Sequence, residues 1–267
     1  MVAAPRVTRA QGAAAHVLLG VAWAAVTLVA MVLGPVWVAV WSAPAVAVAS
    51  GSAVRSRRAV PDRSAAGPRR WRGLRSLEPS VAVAAGGSAL IVLVSAAGAV
   101  PAVVVALTVG AASAVGWRGA LGPKDVAGTT WRPLIVLLPA AAGAGLVLSR
   151  AQSRPVGLAL VGMVCAYDSA AYLIGTEADH PWEGPLAGLV SIAALTLFVA
   201  TELAPPFRGA SPWVLGGLAA LLAPLGPVVA GRLLGERHAP APALRRLDSL
   251  LLLAPAWAIA AAVLLQS

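Results

Sequence analysis

Apolar stretches of about 17 to 21 residues, the length that crosses a hydrocarbon core as α-helix, recur along most of the chain, with charged residues gathered into short clusters between them. In lipid each backbone N–H and C=O must be satisfied within the bundle, and a helix does this inside its own segment. Charged residues are 11% of the 267 and hydrophobic residues 59%, against roughly 25% charged in an average soluble domain. The pattern predicts an all-α, polytopic membrane bundle of about nine transmembrane helices. They fall near 13–33, 35–53, 79–97, 99–116, 133–149, 155–175, 185–203, 211–230 and 247–264. Amphipathic faces are weak along these segments, because lipid and protein neighbours are both apolar.

The placement of Lys and Arg sets the orientation, since positive loops stay in the cytoplasm. With the N-terminus cytoplasmic, the inside segments hold Arg6 and Arg9, then Arg55, Arg57, Arg58, Arg63, Arg69, Arg70, Arg72 and Arg75. They also hold Arg118, Lys124, Arg132, Arg232, Arg237, Arg245 and Arg246, leaving only Arg150, Arg154 and Arg208 outside. That bias favours nine spans over eight. The net charge of +10 is therefore mainly a topology signal, and no fold or aromatic pattern supports a nucleic-acid partner.

Three regions follow: an N-terminal transmembrane hairpin over 1–53, an Arg-, Pro- and Gly-rich cytoplasmic loop over 54–78, and a membrane domain over 79–267. The first apolar run, at about 21 residues, exceeds the 7 to 15 of a signal-peptide core, so it reads as a retained helix. The lone Cys165 has no partner for an internal disulfide and reads as a packing residue. Lys124 and Asp125, in a turn-like stretch, read as solvated.

Asp168 stands out because it interrupts the apolar run from Val156 to Gly175. An aspartate at the centre of a membrane helix costs roughly 2.5 to 3.5 kcal/mol on insertion scales, so such a residue calls for a partner. Tyr172 and Gly175 lie four and seven residues further on, on the same helical face and toward the cytoplasmic end. Asp248 opens the last span, also at the cytoplasmic end. Two carboxylates from different helices at similar depth suit a hard cation such as Mg²⁺, which is commonly held by one or two carboxylates plus substrate phosphates. The same spacing is met by an Asp168 hydrogen-bonded inside the bundle and an Asp248 that only caps a helix.

Four blocks of the last part of the chain resemble one family. Ala166-Tyr167-Asp168-Ser169-Ala170-Ala171-Tyr172-Leu173-Ile174-Gly175, followed by Pro181-Trp182-Glu183-Gly184-Pro185-Leu186-Ala187-Gly188, resembles paired signature segments of the phosphatidate cytidylyltransferases, or CDP-diacylglycerol synthases. Leu222-Ala223-Pro224-Leu225-Gly226 is similar to that family's A-P-L-G-D segment, and Arg246-Leu247-Asp248-Ser249-Leu250-Leu251 to the end of its C-terminal signature. The blocks occur in the family's order. The resemblance implies a reaction in phospholipid biosynthesis: phosphatidate and CTP give CDP-diacylglycerol and pyrophosphate with Mg²⁺. It implies Asp168 and Asp248 as catalytic, metal-holding residues and Tyr172, Trp182 and Glu183 as substrate-binding residues; in a divergent enzyme Arg237, Arg245 and Arg246 would join the substrate-binding set by taking over part of the phosphate neutralisation.

That chemistry suits the residues present. A phosphate monoester is largely dianionic at neutral pH and needs no Ser-His or Cys-His machinery, of which the sequence has none. Phosphoryl-type transfer asks for positioning and for cations on the triphosphate, and Arg237, Arg245 and Arg246 suit phosphate oxygens. Trp182 and Glu183, with Gly184 and Gly188, are equally consistent with close packing at the start of the seventh span. Location in a bacterial-type cell membrane, multi-pass and with the site on the cytoplasmic side, is implied, with a homodimer as a candidate assembly.

The chain also departs from the pattern. Pro227 and Ala230 stand where the family has acidic residues, Arg245 replaces the first Asp of the final signature, and Pro240-Ala241-Pro242-Ala243 replaces its glycines. A family member without catalysis, serving as a lipid-binding or partner-binding membrane protein, is therefore the alternative. A transporter is a further class, since intramembrane acids occur in proton relays, but the sequence has no inverted repeat or broken-helix pair.

Overall fold

A computed structural model of the chain describes residues 6–59, 132–176, 178–234, 244 and 247–265. The predicted spans 79–97 and 99–116, most of the Arg-rich loop, and Arg237, Arg245 and Arg246 lie outside the described residues. Within them the elements are helices, with no strand. They are α1 (Arg6–Leu33), α2 (Pro35–Ala59), α3 (Arg132–Gln152), α4 (Arg154–Gly175), α5 (Glu183–Glu202), α6 (Ser211–Leu222), α7 (Leu225–Leu234) and α8 (Leu250–Leu264).

Four described segments are long and apolar enough to cross a membrane: Pro35–Ala53, Arg154–Gly175, Glu183–Glu202 and Ser211–Leu234. The chain is thus a multi-pass membrane protein. Leu18–Leu33 and Leu250–Leu264 are shorter apolar helices. Against the predicted boundaries, α2 runs on past residue 53 to Ala59, and Arg is among the better helix formers in that extension.

The N-terminal helices form a hairpin through Gly34, whose φ of +138° is accessible to glycine and not to an ordinary L-residue, and Pro35 then starts α2 with its φ already set. Across the hairpin the rings of Trp23 and Trp41 lie 4.8 Å apart. The Trp41 indole N–H donates to the Thr27 hydroxyl at 3.0 Å, and that hydroxyl donates to the Trp23 carbonyl at 2.8 Å. Both polar groups are thereby satisfied within an apolar hairpin.

Helix α3 is the axis of the bundle, packed against α2, α4, α7 and α8. Every residue from Pro139 to Ser149 is buried, and most are Ala or Gly. In lipid the drive for helix association is close packing rather than escape from water, so small residues that let backbones approach are what such an axis requires. Gly145 shows why: a Cβ there would strike the α8 backbone at Ala254 and Pro255. At its end, Arg150 donates through Nε to the Met31 carbonyl, placing a cation at the carbonyl end of α1, and Gln152 donates to the Ala258 carbonyl of α8 at 2.7 Å.

The predicted eighth span is two helices in the structure, α6 and α7, with a turn at Ala223 and Pro224. Proline supplies no N–H and its ring crowds the preceding turn of helix. The break is closed by the Gly226 N–H donating to the Ala223 carbonyl at 3.3 Å.

Candidate functional site

The site is built around the second half of α4. That helix starts at Ser153, whose side chain accepts from the Val156 N–H at 3.3 Å, with Pro155 in the first turn. With 22 residues it is roughly 33 Å long, enough to span a hydrocarbon core of about 30 Å. Asp168 is about 10 Å from its C-terminal end, at 1.5 Å per residue.

On one side of α4, Tyr167, Ala171 and Gly175 form a stripe spaced by four, and α5 lies on it. A Cβ at Gly184 would come within 2.8 Å of the Ala171 carbonyl oxygen, and one at Gly188 would strike the Tyr167 ring. Gly184 and Gly188 form a small-xxx-small contact that draws the two helices together. This bears on the predicted face: Gly175 belongs to the stripe against α5, whereas Asp168 and Tyr172 lie beside it and are exposed.

Asp168 meets the start of α8. The Ser249 hydroxyl donates to Asp168 Oδ1 at 2.6 Å, across 81 residues of sequence. The Ser249 backbone N–H donates to Asp248 Oδ1 at 2.8 Å. Ser249 is 1% exposed and Asp248 9%, so an open carboxylate on α4 and an enclosed one at the head of α8 are joined through one serine. Ser249 has helical backbone angles, φ −63° and ψ −24°, and its side chain makes no capping bond.

Helix α7 completes the arrangement. A Cβ at Gly226 would strike the Asp248 carbonyl and come within 2.9 Å of the Ser249 Cα. The glycine therefore lets α7 rest directly on the backbone that carries the second carboxylate. All four sequence blocks meet: the Asp168 block touches the Trp182-to-Gly188 block through Tyr167 and Ala171, and the Asp248-Ser249 block through Ser249. The Ala223-to-Gly226 block seats on Asp248-Ser249.

The remaining predicted site residues are more distant. Trp182 and Glu183 start α5 at the turn beyond Gly175, two turns along α4 from Asp168. Trp182 is exposed, and Glu183 Oε1 lies 3.2 Å from His180 Nδ1. Sequence reasoning did not single out Ser249 or Gly226 as site residues; their signal was their place in the quoted blocks, immediately beside Asp248 and two residues after Pro224.

Two aspartates offer hard oxygen donors, the type that magnesium takes. Among the described residues no group of three or more His, Cys, Asp and Glu gathers that could hold a metal. The described residues therefore form no all-protein metal cage.

Fold and site define a multi-pass α-helical membrane protein in which Asp168 of α4 is hydrogen-bonded to the Asp248-Ser249 turn before α8. Comparison with family models, curated proteins and solved structures finds no match for this chain.

Proposed function

We propose that the protein is a divergent phosphatidate cytidylyltransferase, using Asp168 and Asp248 at a site where a membrane phospholipid meets a nucleotide. The observation that supports this reading most is the 2.6 Å bond from Ser249 to Asp168. It joins two of four segments resembling one family in order, and the other two pack around it. We further propose the nine-span topology with a cytoplasmic N-terminus, which puts this end of the bundle at the inner face of a bacterial-type cell membrane.

In the reaction a phosphate oxygen of phosphatidate attacks the α-phosphorus of CTP. A new P–O bond forms, the bond from the α-phosphorus to the oxygen bridging the β-phosphate breaks, and pyrophosphate leaves with that electron pair. Mg²⁺, when bound, supplies positive charge that offsets the triphosphate and pyrophosphate. Asp168 and Asp248 hold that charge in place, Ser249 keeps their carboxylates at a set spacing, and exposed Tyr172 borders the approach from the lipid side. Arg237, Arg245 and Arg246 neutralise phosphate in this reading, while Trp182 and Glu183 line the outer rim.

A second reading is a lipid-binding relative without turnover. Its support is the absence of a third acidic ligand around Asp168 and Asp248 among the described residues, matched by Pro227, Ala230 and Arg245 in the sequence. One assay separates the two: purified protein in detergent with labelled CTP, phosphatidate and Mg²⁺. Turnover predicts CDP-lipid from wild type and a fall of about 100-fold or more in Asp168→Asn and Asp248→Asn, as expected on removing a metal ligand. Wild-type product no greater than that of the variants rules out the enzyme.

A further inference from the structure

The hairpin of α1 and α2 carries its arginines at one end. Residues 1–61 contain Arg6, Arg9, Arg55, Arg57 and Arg58 but no Asp or Glu. The two helices run antiparallel from the Gly34 turn, as the Trp23 and Trp41 contact across the hairpin shows. The first turn of α1 and the last turns of α2 therefore lie at the same end. At 1.5 Å per residue, Arg55, Arg57 and Arg58 stand about 32 to 36 Å from Gly34 along α2, and Arg9 and Arg6 about 38 and 42 Å from it along α1.

A hydrocarbon core is about 30 Å thick, and the headgroup region adds about 5 to 7 Å on each side. With Gly34 at one edge of the core, the α2 arginines fall in the opposite headgroup layer and the α1 pair at its outer limit. Like charges gathered over about 10 Å of hairpin repel one another, and residues 1–61 supply no acid to offset them. Lipid phosphates at the same depth do offset them, since a guanidinium matches phosphate oxygens through two parallel hydrogen bonds.

We propose that this end of the hairpin is a binding surface for anionic phospholipid headgroups. Arg6 and Arg9 are three apart, as are Arg55 and Arg58, so each pair shares a helical face. Basic clusters beside a membrane helix attract acidic lipids in this way. A topology signal alone acts while the chain inserts, and would leave the folded protein without a preference among headgroups. The surface needs only membrane residence and is independent of the cytidylyltransferase reading.

The test uses full-length protein in nonionic detergent, titrated with dioctanoyl phosphatidylglycerol or dioctanoyl phosphatidylcholine and followed by calorimetry at low and high NaCl. Wild type is expected to bind the anionic lipid about 10-fold or more tightly than the zwitterionic one, and to lose that margin at high salt, where the charges are screened. Arg55→Gln, Arg57→Gln and Arg58→Gln together should remove most of the margin, and Lys at the same positions should keep most of it. Arg6→Gln with Arg9→Gln takes the place of the triple variant if that does not fold. Arg154 begins α4 close to Met31, at the Gly34 end, so Arg154→Gln should leave the margin unchanged. Equal affinity for the two lipids, a preference that survives high salt, or an unchanged preference in the hairpin Gln variants overturns the proposal. Displacement of the lipid by inorganic phosphate at comparable concentration would mark a small-anion site and overturn it too.

Discussion

At the scale of single residues, the site depends on two small groups, Gly226 and Ser249, that bring larger ones together. Gly226 is the clearest, because any side chain there meets the Asp248 carbonyl. Forcing extra atoms into a packed contact commonly costs about 1 to 3 kcal/mol, so Gly226→Ala is expected to lower the unfolding temperature in detergent. It should also displace Asp248 and, if the proposed activity holds, lower CDP-lipid formation. Gly217, exposed and with open space around its Cβ position, provides the control: Gly217→Ala should leave both measurements within error of wild type or slightly raise stability. Asp168 was legible from sequence because a charge in an apolar run has a known cost. Asp248 was legible as a helix-start acid. Ser249 was not, because serine before a helix is ordinarily a cap, and only the structure shows its hydroxyl turned to another helix.

At the scale of elements, the α4–α5 pair is held by Gly184 and Gly188 against Ala171 and Tyr167. Of the reading of Trp182, Glu183, Gly184 and Gly188 as close packing at the start of the seventh span, the two glycines pack as expected, whereas Trp182 is exposed. The contact predicts coupling that can be measured. Gly188→Ala should destabilise by about 1 to 3 kcal/mol because its methyl meets the Tyr167 ring. In a Tyr167→Ala background the same change should cost less, a non-additivity visible in a double-mutant cycle on unfolding temperatures. Additive effects would mean that the ring and the glycine do not share the contact. The α6–α7 break was harder to see. Hydropathy is high throughout Ser211–Leu234, so a window average reads one span. The turn comes from Pro224, whose missing N–H a hydropathy scale does not register. That break matters for the site, since it delivers Gly226 to Asp248.

At the scale of the whole molecule, all-helical architecture and membrane residence were legible from the lengths of the apolar runs alone. The convergence of four short segments was not, because weak amphipathicity in lipid-facing helices gives no face to match. The proposed topology makes its own prediction. In a Cys165→Ser background, a cysteine at His180, in the α4–α5 turn, should react with an impermeant thiol reagent only after the membrane is opened. One at Arg208, in the α5–α6 turn, should react in intact cells. The reverse pattern would invert the orientation and place the site outside. The claim on which the whole account depends is that Asp168 and Ser249 are neighbours in the membrane. Its most direct measurement is thiol cross-linking in native membranes with a short bifunctional reagent, using Asp168→Cys with Ser249→Cys in the Cys165→Ser background. The account predicts efficient linkage of that pair and none between Asp168→Cys and Arg208→Cys; failure of the first pair to link, with both cysteines accessible to a monofunctional reagent, would contradict it.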